Sequence, residues 1–241
     1  DATVALAEGV GGTVERFVQM MNDQAKVLGM NNTSYKNPEG LTEAGHTTTA
    51  RDLATLATRL MRDFPEFVST YAIKKYRYPG TPAANDSNRN LLLFKDPTVD
   101  GLKTGHTEAA GYCLVATAKR DFPNVGQRRL MAIVLGANSE ISRANEAQKL
   151  LNWGFQAFDS INLLDPSKPL ATPEVWKGAA KLVNLGAARS ISISIPRGDG
   201  GKLQTQIERT DPLVAPLTKG QAVGTVKVTN ASGAVVAQVP L

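Results

Sequence analysis

Near residue 158 the hydrophobic period of this chain changes from that of helices to that of strands, and the switch limits the available architectures more than any other feature. Before it, apolar residues recur at three- and four-residue intervals. Thr13 reads as the N-cap of a helix carrying Val14, Phe17, Val18, Met21, Ala25 and Leu28, which Gly29 stops. Thr49, with Asp52 three residues on, resembles a capping box and opens a helix with Leu53, Leu56, Ala57, Leu60 and Met61, which Pro65 interrupts. A third helix is expected from about Glu140 to Phe158, with Ala144, Ala147, Leu150, Leu151, Gly154, Phe155 and Phe158 on its apolar side. After it, Ser190-Ile191-Ser192-Ile193-Ser194-Ile195 alternates strictly, and Leu203 to Ile207 and Val223 to Val228 nearly so, with Pro or Gly at short intervals. Residues 160–241 are therefore expected to form a small all-β sandwich, separated near Asp159 from residues 1–159.

The first segment is mixed. Its opening residues, running into Gly9, Gly11 and Gly12, look like the tail of a helix that begins before Asp1. Asn31 to Gly45 reads as a loop containing a compact Asn37-Pro38-Glu39-Gly40-Leu41 turn. Ile73 to Tyr78 has strand composition, and Thr81 to Asn90 is a polar loop. Three further strands are expected at Gly101–Thr104, Tyr112–Lys119 and Arg129–Ala137. A turn with Pro123, Asn124 and Gly126 joins the last two into an antiparallel hairpin. Helices before and after a sheet predict an α+β layer structure.

Several function classes fall away. No apolar run approaches the ~20 residues that cross a bilayer. Hydrophobic residues at 42% and charged residues at 20% are the balance of a folded globular protein. Cys113 is the lone cysteine, so no internal disulfide forms, and its strand-like surroundings suggest a small buried hydrophobe. The two histidines, His46 and His106, have no ligand partners at metal-binding spacing, so neither a metal nor a cofactor is expected. The net charge of +5 comes from scattered Lys and Arg residues without interleaved aromatics, which argues against a nucleic-acid partner.

The stretch with chemistry is Val99-Asp100-Gly101-Leu102-Lys103-Thr104-Gly105-His106-Thr107. On a strand, Lys103 can hold a carboxylate as a compact point charge. Gly105, with no Cβ, lets a substrate backbone approach and add to the strand edge. The N–H of His106 just beyond can then point at a carbonyl oxygen and stabilise an oxyanion.

Lys-Thr-Gly accompanies Ser-x-x-Lys and Ser-x-Asn in penicillin-binding proteins and class A β-lactamases. The chain resembles the low-molecular-weight penicillin-binding proteins that act as D-alanyl-D-alanine carboxypeptidases. The matching pieces are the Val99–Thr107 string, Ala110-Gly111-Tyr112, Asn37-Pro38-Glu39-Gly40-Leu41, Asn88-Arg89-Asn90 and Lys149-Leu150-Leu151-Asn152-Trp153-Gly154-Phe155. The resemblance implies an α+β penicillin-binding/β-lactamase-like catalytic domain, present in part, followed by the β sandwich, which argues against a β-lactamase. It also implies a serine enzyme that cleaves the terminal D-Ala-D-Ala bond of peptidoglycan stem peptides through an acyl-enzyme and is acylated by β-lactams. On this view Lys103, Thr104 and Gly105 bind the substrate, with the first two on its terminal carboxylate, and the His106 N–H serves the oxyanion. Arg89 and Arg143 support the carboxylate pocket or the strand, the His106 ring is a positioning group, and His46 is an ordinary loop residue.

The departure from the family is as informative. No serine among the 241 residues has Lys three places on; of the serines and threonines only Thr33, in Thr33-Ser34-Tyr35-Lys36, shows that spacing, and it reads as a decoy in a loop. Ser160-Ile161-Asn162 imitates Ser-x-Asn but falls at the domain boundary. The resemblance places nucleophile, general-base lysine and second motif before Asp1, which makes an N-terminal fragment of the same protein an expected partner. Without it the chain is expected to be inactive and prone to aggregate. A periplasmic location on the outer face of the cytoplasmic membrane follows from the implied substrate, with any peripheral membrane anchor in a segment this sequence does not include. The competing readings are a non-catalytic peptidoglycan-binding protein and a β-lactamase.

Overall fold

The computed structural model describes residues 2–80, 82, 85–123 and 125–241. Thr81 of the expected polar loop and Asn124 of the expected hairpin turn lie outside the described residues. The chain divides into two compact units, one of residues 1–120 and 129–153, the other of residues 121–128 and 154–241.

The first unit opens with two packed helices, α1 (Ala2–Gly11) and α2 (Val14–Val27). Thr13 caps α2 as expected, its hydroxyl accepting from the Arg16 N–H at 3.1 Å. Helix α3 (Ala50–Asp63) is capped by Thr49, whose hydroxyl accepts from the Asp52 N–H at 3.1 Å. Only half of the expected capping box forms. The Asp52 carboxylate is buried and accepts instead from the Asn32 N–H at 2.9 Å and the Thr33 hydroxyl at 2.7 Å. Aspartate is one methylene shorter than the usual glutamate, and a buried carboxylate must find donors where it lies. Thr33 is thereby committed to holding the loop, which fits its reading as a decoy.

That loop owes its shape to side-chain amides. Asn22 on α2 clamps both backbone groups of Tyr35, at 2.8 and 2.9 Å, and the Asn37 carbonyl oxygen accepts from the Gly40 and Leu41 N–H groups at 2.8 and 3.0 Å. Helix α3 ends before Pro65, and a 3-10 turn (Pro65–Phe67) leads into the short α4 (Val68–Tyr71).

The strand expected over Ile73 to Tyr78 is not formed. The segment makes one isolated antiparallel bridge, Lys75 to Ser87, with Tyr76 N–H donating to the Asp86 carbonyl at 2.8 Å. Ile73, Tyr76 and Tyr78 are exposed. Their β-branched and aromatic character signals a half-buried pleated surface, and with no face to bury it does not produce a ladder.

After α5 (Leu92–Lys95) comes an antiparallel pair, β1 (Val99–Thr107) and β2 (Gly111–Phe122), and then β3 (Gly126–Ala137), in the order β1-β2-β3. All three strands are longer than the sequence predicts. β2 is central, and Leu114, Val115, Ala116, Thr117 and Ala118 are all buried, so both of its faces are covered. The connection from β1 to β2 needs Gly111, whose φ is +65° and whose Cβ, if present, would lie 3.1 Å from the backbone of Gly136 and Ala137. Cys113 sits in β2 as expected but is half-buried, its thiol near the Ala110 carbonyl at 3.5 Å.

Helix α6 (Glu140–Ala157) presents Ala144, Ala147 and Leu151 inward, each at most 1% exposed. Leu150, expected on the same side, is exposed, because it precedes Leu151 by one residue and so points about 100° away. Phe158 starts a strand instead of ending the helix.

The second unit is made of strands apart from the end of α6 and a 3-10 turn (Gly200–Lys202) among the described residues. β4 (Phe158–Leu164) pairs antiparallel with β6 (Ile191–Pro196), β9 (Gly224–Thr229) lies between β10 (Val235–Pro240) and β7 (Gln204–Arg209), and β5 (Val175–Trp176) runs parallel to β8 (Leu213–Val214). The period-2 reading holds in detail. Val226 and Val228 on β9 are fully buried, and they share a core with Leu164, Leu185, Ala187, Leu213 and Leu241. Ser192 and Ser194 on β6 face out while Ile191, Ile193 and Ile195 turn inward. Ser160-Ile161-Asn162 is part of the β4 ladder, with Ser160 opposite Ser194.

Candidate active site

β1 is the edge strand of its sheet, with no strand beyond it among the described residues. Its first half is fixed from several directions. The Asp100 carboxylate takes two bonds from the Arg129 guanidinium, at 2.6 and 2.7 Å, and one from the buried Thr117 hydroxyl at 2.7 Å. The buried Asn90 amide donates to the Gly101 carbonyl at 3.0 Å. A register shift lies between Val99 and Gly101, after which the ladder is regular.

The second half carries the residues singled out from sequence. Lys103, Thr104, Gly105 and His106 stand opposite Val115, Leu114, Cys113 and Tyr112. Lys103, Gly105 and His106 are exposed, and Thr104 is half-buried. The Lys103 ammonium donates to the Thr104 carbonyl, which folds the side chain back along its own strand. Protein packed around the ammonium, together with the nearby Arg143 charge, holds the Lys103 pKa below its ordinary value of 10.5. The side chain nevertheless remains accessible to an anion. The turn after the strand is closed by Thr107, whose hydroxyl accepts from the Ala110 N–H at 3.0 Å.

Arg143 reaches this strand from the first turns of α6. Its guanidinium donates to the Gly105 carbonyl at 3.0 Å, to the Arg89 carbonyl at 3.1 Å and to the Glu140 carboxylate at 3.1 Å. The side chain is 2% exposed. Arg89 therefore joins the network through its backbone, and its own side chain is exposed. His46 lies in the Asn31–Thr49 loop, where its Nδ1 accepts from the Lys36 N–H at 3.3 Å.

Sequence reasoning gave Tyr112 no role. Its ring lies 3.9 Å from the His106 ring, tilted by 30°, and the Arg143 guanidinium carbon is 5.4 Å from its centroid. The signal available was the cross-strand pairing of His106 with Tyr112, readable only once the turn at Thr107–Ala110 sets the register. No group of three or more His, Cys, Asp or Glu able to hold a metal occurs among the described residues.

Known proteins similar to this chain cover its whole length. Residues 1–139 match the family model for D-alanyl-D-alanine carboxypeptidase, peptidase S11, and residues 158–241 match that for the penicillin-binding protein 5 C-terminal domain. The chain is 43% identical over 228 residues to D-alanyl-D-alanine carboxypeptidase DacC of Escherichia coli, covering 94% of this chain and 55% of that protein. It is 38% identical to DacF of Bacillus subtilis, covering 100% and 61%. Among solved structures, penicillin-binding protein 5 from Haemophilus influenzae superposes with a TM-score of 0.81 at 36% identity, over 99% of this chain and 68% of that one. Penicillin-binding protein 6B from Escherichia coli gives 0.72 at 31%, over 100% and 64%. The chain belongs to the D-alanyl-D-alanine carboxypeptidase family of serine peptidases. It spans little more than half the length of these two curated relatives.

Proposed function

We propose that this chain forms the substrate-binding wall of a serine-type D-Ala-D-Ala carboxypeptidase that trims peptidoglycan stem peptides through an acyl-enzyme and is acylated by β-lactams. The observation that carries this reading is the open edge of β1 with Lys103, Thr104, Gly105 and His106 in succession, in a chain of this family. A D-Ala-D-Ala terminus adds to that edge as an extended segment. Lys103 and the Thr104 hydroxyl hold its terminal carboxylate, Gly105 leaves room for its backbone, and the His106 N–H receives the oxygen of the scissile carbonyl as it becomes an oxyanion. The exposed Arg89 adds positive charge for the same carboxylate, and Arg143 supports the strand. Residues 1–159 act as the C-terminal part of the catalytic domain and residues 160–241 as a separate β domain. The substrate places the protein in the periplasm, on the outer face of the cytoplasmic membrane.

These groups bind and polarise. None of them attacks, and no Ser-x-x-Lys occurs in the 241 residues. That observation sustains a second reading, a peptidoglycan-binding protein without catalysis. The test is release of D-alanine from a peptide ending in D-Ala-D-Ala by the native protein, with and without a β-lactam. Release that the β-lactam abolishes supports the peptidase; peptide binding with no release supports the second reading.

A further inference from the structure

The following rests on the assignment of the His106 N–H to the oxyanion. Gly105 and His106 lie at an exposed sheet edge, and Gly105 has no side chain to anchor it; an ideal Cβ there would meet nothing closer than 3.9 Å. An oxyanion donor must nevertheless be held in its direction before the charge develops. The Arg143 guanidinium supplies the restraint, with its bond to the Gly105 carbonyl at 3.0 Å. That carbonyl and the His106 N–H belong to one peptide unit. The bond joining them is not among the cis bonds of the described residues, so the unit is planar and trans, and the N–H points opposite to the C=O. Fixing one therefore aims the other. A cation on the carbonyl oxygen also draws electron density through the amide and strengthens the N–H as a donor.

The remaining contacts of Arg143 make it a fixed part of the scaffold. The Arg89 carbonyl and Glu140 carboxylate occupy its other terminal nitrogen, and Tyr112 lies against the guanidinium while also touching the His106 ring. With 2% of its side chain exposed, the guanidinium has no open face for a substrate carboxylate. We propose that Arg143, backed by Tyr112, is a positioning residue that aims and polarises the His106 N–H through the Gly105 carbonyl, and that it does not itself hold the substrate.

Two measurements on the native protein test this. The oxyanion contact exists in the transition state and not in the bound substrate, so Arg143→Gln lowers kcat about tenfold and leaves KM within about twofold. Tyr112→Leu lowers kcat by a smaller factor, about threefold, and Tyr112→Phe, which keeps the ring, restores most of the loss. The chain has two histidines, so selective 15N-histidine labelling gives two amide signals from this sequence. In Arg143→Gln and Tyr112→Leu the His106 signal moves and the His46 signal stays. A rise in KM with kcat unchanged makes Arg143 a carboxylate ligand and overturns the proposal. So does an unmoved His106 signal in both variants, and if Arg143→Gln does not fold, an unmoved signal in Tyr112→Leu alone is decisive. Should the native protein release no D-alanine, the functional assignment fails, and the amide shifts still decide whether the relay exists.

Discussion

Within nine residues β1 is held in two different ways. At Val99–Gly101 the strand is buried on either side of a half-buried Asp100 and these polar groups have partners: Asp100 has Arg129 and Thr117, the Gly101 carbonyl has Asn90. From Lys103 to His106 all but the half-buried Thr104 are exposed, and from outside the sheet the Arg143 guanidinium holds the Gly105 carbonyl. The first half behaves as structure, where removing a partner strands a buried polar group. The second keeps its polar groups available to a ligand, at the cost of needing a restraint from behind. Stability and binding should therefore separate along one strand.

The largest expected effect is on the open half. Lys103→Ala should reduce kcat/KM for a D-Ala-D-Ala peptide about a hundredfold, the scale of a charge-assisted bond to a carboxylate. The melting temperature should change little, because the side chain is exposed. Equal losses of activity and stability would erase the contrast. If Lys103 holds the substrate carboxylate, it should also set the alkaline limb. Its pKa lies below 10.5, so it sheds its charge as pH rises through a lower value than an ordinary lysine would, and kcat/KM falls correspondingly early. Replacing Arg143 with Gln should move that limb upward, since the guanidinium charge adds to the crowding that lowers the pKa.

On the buried half the sign reverses. Asp100→Ala leaves Arg129 and the fully buried Thr117 hydroxyl without their acceptor and should cost about 2–3 kcal/mol in urea denaturation. kcat measured well below the transition should stay within a few-fold of wild type. A loss of kcat as large as that for Lys103→Ala would show that the two halves are not separable.

The smallest effect concerns the approach to β1. Burial pushes the Asp96 carboxyl up, but bonds from the Thr98 hydroxyl and N–H and from Arg120 outweigh it and hold the pKa below 3.8. A carboxylate depressed in the folded state contributes stability that is complete above its unfolded value and is lost as pH falls below that value. Asp96→Asn should therefore narrow the difference in melting temperature between pH 6 and pH 3. An unchanged difference would remove Asp96 from the acid response.

What could be read from sequence was what repeats or acts locally. The helical stripes, the Thr13 and Thr49 caps, the Asn37 turn and the alternation around Ile191 and Val226 each depend on neighbours a few residues away, and each is present. The misses have non-local causes. Asp52 turned to Asn32 and Thr33, about twenty residues back, and Ile73–Tyr78 had strand composition without a surface to cover. Around β1 the string from Asp100 to Thr107 pointed to the exposed residues proposed to meet substrate, because their types carry the chemistry. Of the groups behind them, Tyr112 and Arg129 come from other elements and nothing in their local sequence shows what they touch, whereas Arg143 was expected from the family resemblance to support the pocket or the strand and reaches the Gly105 carbonyl.

The central claim is that the open half of β1 is where substrate lies, and a crystal structure of the native protein with a bound D-Ala-D-Ala peptide tests it most directly. The expected result is an extended peptide paired with β1, its terminal carboxylate about 3 Å from the Lys103 ammonium and the Thr104 hydroxyl. A peptide bound elsewhere, with the 103–106 edge in water, would contradict it.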